Sequence, residues 1–188
     1  MVRFLDSEMI FDFLDKWIKK KENQGLLVNF LRSRKILKMI FASMMMSFLD
    51  VKGFYSDLKN ELNNAKKEVI ICSPFAWTER LETIIDDLRN CVNRGVKVTV
   101  FIKDPSDKSL KYPEDHQECC EILRSNDIRV TFIKKFHAKF VSIDREVFYI
   151  GGINVLSHGE SADAMLKIRD PDLADVLTEK ALKALMQI

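Results

Sequence analysis

From Gly53 onward the apolar positions switch repeatedly between two periods. Leu58, Leu62 and Ala65 recur at helical spacing within Phe54–Lys67, and the continuous apolar run Glu68–Ser73 predicts a buried strand ended by Pro74. Leu81, Ile84, Ile85, Leu88 and Val92 form one stripe, so a helix is predicted over Thr78–Asn93, with Thr78 as its N-cap and Arg94-Gly95 as its stop. Val96–Ile102 reads as a strand and Lys103–Asp115, with Pro105 and Pro113, as a polar loop. A helix over His116–Ser125 and a strand over Ile128–Ile133 follow. Lys139–Asp144 alternates like a half-buried strand, Arg145-Glu146 makes a short polar turn, and Val147–Ile150 is a second β-rich run closed by Gly151-Gly152. A last strand, Ala164–Ile168, precedes a helix opened by Pro171 and running to about Leu185. Strands alternating with helices predict an α/β domain, with a mixed, mostly parallel sheet sandwiched between helices.

The first fifty residues have a different rhythm. Phe4, Leu5, Ile10, Phe11, Leu14, Trp17 and Ile18 predict one helix, and Leu26–Leu49 a second, basic at Arg32, Arg34, Lys35 and Lys38 and Met-rich at Met44-Met45-Met46. Gly53 marks the join, giving a helical extension over 1–52 and a main domain over 53–188. The apolar half of the second helix, Met39–Leu49, is too short to span a membrane. It could pack on the main domain or a partner, lie on a membrane surface, or grip a nucleic-acid backbone.

Composition narrows the class. With 47% hydrophobic residues in 188 the chain can build a sizeable core, and its net charge of +2 gives no general argument for nucleic acid. The four cysteines, Cys72, Cys91, Cys119 and Cys120, form no CxxC pair, which points to reduced thiols in a cytoplasmic protein. The opening residues carry early acids and no small-residue cleavage site, unlike a signal peptide.

The chemistry gathers between His137 and Asn154. Residues two apart on a strand share a face, so His137 and Lys139 project together, and Asn154, just past the glycines, can swing back to the same place. An imidazole, an ammonium and an amide without a carboxylate suit an anion, above all a phosphate. His137, Lys139, Asp144, Gly151, Gly152 and Asn154 match H-x-K-x4-D-x6-G-[GS]-x-N at every spacing. That pattern resembles the HKD motif of the phospholipase D superfamily, and the resemblance extends from about Gly53 to the end of the chain.

The resemblance implies a nucleophilic role for His137, which would form a phosphohistidine, with Lys139 and Asn154 holding the non-bridging oxygens. It implies no cofactor and no metal. It also implies a second histidine to protonate the leaving group, and this chain carries one motif, since neither His116 nor His158 has a lysine two residues on. Single-motif members of the superfamily pair as twofold homodimers, which is the expectation here. Family members further carry an acid that orients the nucleophile, matched here by Asp163 or Glu160. Ser157 and Gly152 are expected near the phosphate, while Asp144 and Gly151 are expected to be structural. His116 and His158 read as surface residues, and the methionine run as packing.

The motif does not choose the phosphodiester. Small single-motif members are mostly nucleases, and the tail from Asn154 to Leu177 resembles phospholipase D-like domains of helicase and restriction systems. The expectation is a metal-independent nuclease on DNA or RNA, with local positive charge from Lys103, Lys108, Lys111, Lys134 and Lys135. The alternatives are a phospholipid phosphodiesterase at a membrane surface and a non-catalytic nucleic-acid-binding module.

Overall fold

The structure, a computed structural model, describes residues 45–134, 136–157 and 163–187. The expected helices before Met45, and Lys135, His158 and Glu160, lie outside the described residues. The chain divides into two compact units, Met1–Met44 and Met45–Ile188.

The second unit is built on one seven-stranded sheet. In chain order its elements are β1 (Met46–Asp50), α1 (Val51–Asn64), β2 (Glu68–Cys72), α2 (Thr78–Glu82), α3 (Ile85–Asn93) and β3 (Lys97–Ile102). There follow α4 (Pro113–Ser125), β4 (Arg129–Phe132), β5 (Phe140–Ile143), β6 (Val147–Gly151), β7 (Ala164–Arg169) and α5 (Pro171–Met186). The sheet order is β1-β7-β6-β5-β2-β3-β4. β2, β3 and β4 pair in parallel, joined by helical crossovers. β5 pairs antiparallel with β2, and β6, β7 and β1 continue antiparallel. The sheet is mixed, as its pattern predicted, but not mostly parallel, because four of its six strand pairings are antiparallel. The short Asp144-Arg145 turn, with φ of 54° and 58°, makes β6 antiparallel to β5.

Helices cover both faces. Phe54, Leu58 and Leu62 of α1, with α2, α3 and α4, pack on Val69, Ile71, Val98, Val100, Val141 and Tyr149. The opposite face, Ile70, Cys72, Phe101, Phe140 and Phe148, is covered by Ala174, Leu177 and Leu185 of α5. Alternating residues of β2 and β5 feed both layers, which is why their sequences are mostly apolar. Asp50 and Asp170 cap α1 and α5 through their carboxylates, which accept from Gly53 N (2.7 Å) and Leu173 N (3.0 Å).

Two expectations need correction. Met46–Leu49 is an edge strand paired with β7, not the end of a helix, so the sheet-bearing unit starts ahead of Gly53. A short apolar run cannot be told from a helix by period alone. The helix expected over Thr78–Asn93 is broken into α2 and α3 around Thr83-Ile84. Thr78 is not its cap; its hydroxyl donates to Asp115 of α4 (2.5 Å).

Candidate functional site

The sequence places the motif at the carboxyl ends of the parallel strands, where open α/β sheets leave room for ligands. β2 runs out at Cys72 opposite Phe140, the first residue of β5. The residues just before β5, His137 to Lys139, therefore stand at that edge. The hairpin returns the other half of the motif to the same edge, because Phe140 pairs with Ile150 and Gly151 N donates to Lys139 O (3.4 Å). His137 is exposed and Lys139 half-buried, with its ammonium 3.1 Å from the His137 carbonyl. Hydrogen-bonded strand begins only at Phe140, so His137 and Lys139 lie in the segment before β5 and not on the strand that their spacing predicted.

Both glycines are explained by what adjoins them. A Cβ at Gly151 would lie 2.1 Å from Ala164 O, so only glycine lets β6 approach β7 there. A Cβ at Gly152 would lie 2.7 Å from Asp163 Oδ1. The acid expected to orient the nucleophile therefore sits directly against the glycine pair, and Gly152 N is tied to Ala164 O (3.0 Å).

After Ile153 the loop is held from several sides. Tyr55 OH donates to Val155 O (3.0 Å), Trp77 N to Leu156 O (2.7 Å), and Leu156 N to Ser73 Oγ (3.2 Å). The Arg80 guanidinium lies over the Tyr55 ring at 4.2 Å. Ser157 is buried, and its N–H donates to Asn154 O (3.1 Å). Asn154 Oδ1 is buried with no hydrogen-bond partner among the described residues. None of these supports had a sequence signal beyond Pro74 ending a strand, because they come from loops distant in the chain.

Asp144 stands at the other end of β5. Its carboxylate accepts from Lys66 N (2.8 Å), Lys67 N (2.7 Å) and Glu68 N (3.0 Å), fastening the hairpin turn to the start of β2. Beside it Arg145 donates to Glu68 and Asp175 (both 2.7 Å), and these carboxylates raise its pKa.

His116 is not a surface residue. It is 1% exposed, accepts at Nδ1 from Ala76 N (3.2 Å), and so carries its proton on Nε2, which donates to Lys103 O (2.9 Å). It braces the loops after β2 and β3 and has no nitrogen free for proton transfer. Lys103 is likewise only 3% exposed, bonded to Ser109 Oγ (2.7 Å) and set over the Phe75 ring, so it does not offer surface charge. Lys108, Lys111 and Lys134 are exposed. The thiols are buried and free, and burial pushes Cys72 up to about 12 against the pull of the Lys139 ammonium. Among the described residues no group of three or more His, Cys, Asp or Glu converges as a metal site, and no helix is long and apolar enough to cross a membrane.

A family model described as "Cardiolipin synthase, PLD-like domain" matches residues 58–185. No curated protein matches the sequence. Nuc, a phospholipase D family member from Salmonella typhimurium, is 16% identical with a TM-score of 0.56, over 72% of this chain and 90% of its own. NucT from Helicobacter pylori is 15% identical with a TM-score of 0.60, over 76% of this chain and 95% of its own. Phosphatidylserine synthase from Haemophilus influenzae Rd KW20 is 16% identical with a TM-score of 0.62, over 76% of this chain but 37% of its own. At these identities the likeness is one of fold.

Proposed function

The chain belongs to the phospholipase D superfamily, and from that premise we propose that it is a metal-independent nuclease, acting on DNA or RNA as a homodimer. The observation that carries this reading is the return of Gly151 to Asn154 beside the lead-in that bears His137 and Lys139, in a chain that matches a phospholipase D-like family model.

In this mechanism a neutral His137 attacks phosphorus, the bond to the leaving oxygen breaks, and the phosphoryl group rests on the imidazole. Lys139 and the Asn154 amide stabilise the charge on the non-bridging oxygens, which is the part a metal plays in other phosphodiesterases. A second imidazole protonates the leaving oxygen and then takes a proton from the water that cleaves the phosphohistidine. Asp163, against Gly152, orients His137, and Ser157 lies beside Asn154. The engagement of both nitrogens of His116 supports recruiting the second imidazole from another copy of the chain. An exposed apolar row next to the motif supports a surface for that copy. Ile150 (47% exposed) and Phe48 (66% exposed) flank Leu166 in register, one residue short of Gly151.

The extent of the match to Nuc and NucT supports the nucleic-acid reading. The chain matches nearly the whole of Nuc and NucT but about a third of the phosphatidylserine synthase. Quenching a reaction with 32P-labelled oligonucleotide in alkaline denaturant tests the mechanism. Label that stays on the protein, survives alkali and disappears in His137→Asn is expected. Label-free protein during turnover by a stable dimer contradicts it.

A further inference from the structure

At Asn154 lies a pocket of about 210 Å3 most of whose lining the phosphodiesterase chemistry does not use. Its walls are aromatic. Phe75 and Trp77 come from the loop after β2 and Tyr112 from the start of α4, with Trp77 and Tyr112 edge to face at 5.7 Å. Lys111 lies at the Tyr112 ring, 5.1 Å from its centre, and Asn154 and Ser157 also line the pocket. The loops that form it are fixed by the buried His116, which ties Ala76 to Lys103, and by the Trp77 bond to Leu156. The pocket is therefore preformed, and it shares Asn154 with the phosphate site.

We propose that this pocket seats one nucleobase flanking the scissile phosphate, stacked on one of the Trp77 and Tyr112 rings with its edge against the other. The inference deepens the nuclease reading and rests on it. Three observations favour a base. The volume suits a single flat ring system and falls below the range typical of larger ligands. Aromatic side chains bind bases of any sequence through their π-faces, which suits an enzyme that reads backbone. Asn154 Oδ1 lacks a donor, and bases carry N–H groups on their edges, whereas acyl chains carry none. One carboxamide would then serve both neighbours, its amide donating to phosphate and its oxygen accepting from the base.

The test uses the full chain with Trp17→Phe, which leaves Trp77 as the only tryptophan. Adenosine monophosphate and thymidine monophosphate are titrated against Trp77 emission, with inorganic phosphate and glycerol 3-phosphate as base-free probes. Quenching by both nucleotides, absent with the base-free probes, is expected. Tyr112→Ala, checked for an unchanged melting temperature, should weaken it about 10-fold, and Tyr112→Phe should restore it. Equal response to nucleotides and base-free phosphates, or indifference to Tyr112→Ala, overturns the proposal. So does quenching by phosphatidylglycerol micelles alone, which assigns the pocket to a lipid. An oligonucleotide with an abasic site next to the cleaved bond separates the two readings. A drop of about 10-fold in kcat/KM against the intact strand supports the pocket. Equal cleavage overturns the pocket and leaves the nuclease standing. Nucleotide quenching without cleavage of any nucleic acid keeps the pocket and removes the nuclease.

Discussion

The two adjacent glycines of the motif face different obstacles, and that difference is testable. At Gly151 an added Cβ meets the backbone of Ala164 and Met165, which cannot give without parting β6 from β7. Gly151→Ala should destabilise the protein by about 1–3 kcal/mol in urea unfolding, the usual cost of overpacking. At Gly152 the obstacle is the Asp163 carboxylate, the end of a side chain, which can turn aside. Gly152→Ser should keep its stability but move Asp163, so its loss should appear in kcat with the unfolding midpoint unchanged. Asp144 offers the converse case. Asp144→Ala strips three backbone N–H groups of their acceptor, at about 1–3 kcal/mol, while His137 lies at the other end of β5. The motif's identity and spacing were legible in the sequence. The surroundings of those residues were not. That His116 and Lys103 are buried braces depends on loops that meet only in three dimensions.

At the scale of elements, α1 is joined to the sheet by a polar cluster within an apolar layer. Lys167 of β7, 8% exposed, lies 2.7 Å from Asp57 and 2.9 Å from Glu61. Tyr149 OH donates to Asp57 (2.7 Å), and Arg169 also bonds Glu61. Lys167→Met leaves two carboxylates facing each other and should cost about 2–4 kcal/mol by chemical denaturation. Adding Asp57→Asn and Glu61→Gln should recover part of that loss, because the charge left unpaired is what costs. Helix and strand periods in the sequence located nearly every element of the sheet-bearing unit. They failed at Met46–Leu49, whose apolar character fits an edge strand and a helix equally, and at Thr83-Ile84, where the helix breaks without a glycine or proline. The mixed sheet was legible from the alternation of elements. Of the antiparallel pairs, the short turn at Asp144-Arg145 made only β5–β6 legible.

At the scale of the whole molecule, burial sets the chemistry of the cysteines. Cys72 and Cys119 are pushed up to about 12 and Cys120 to about 11, from an ordinary 9.0. All four thiols should resist a disulfide reagent at pH 8 in the folded protein and react on unfolding. Folding favours the protonated thiols, so their contribution to stability is intact below pH 9 and is lost as the pH rises from 9 towards 12. A melting temperature that falls over that range checks it. The proposed pairing of two chains belongs to this scale as well. Phe48→Asp with Ile150→Lys should turn a sedimenting dimer into a monomer and abolish turnover, since each monomer would hold one motif histidine. The decisive measurement is cleavage of labelled single- and double-stranded DNA and RNA in excess chelator, with His137→Asn as control. Cleavage that survives the chelator and is lost in His137→Asn is the expected result. No cleavage of any nucleic acid by a verified dimer, or cleavage that His137→Asn retains, contradicts a histidine-based nuclease.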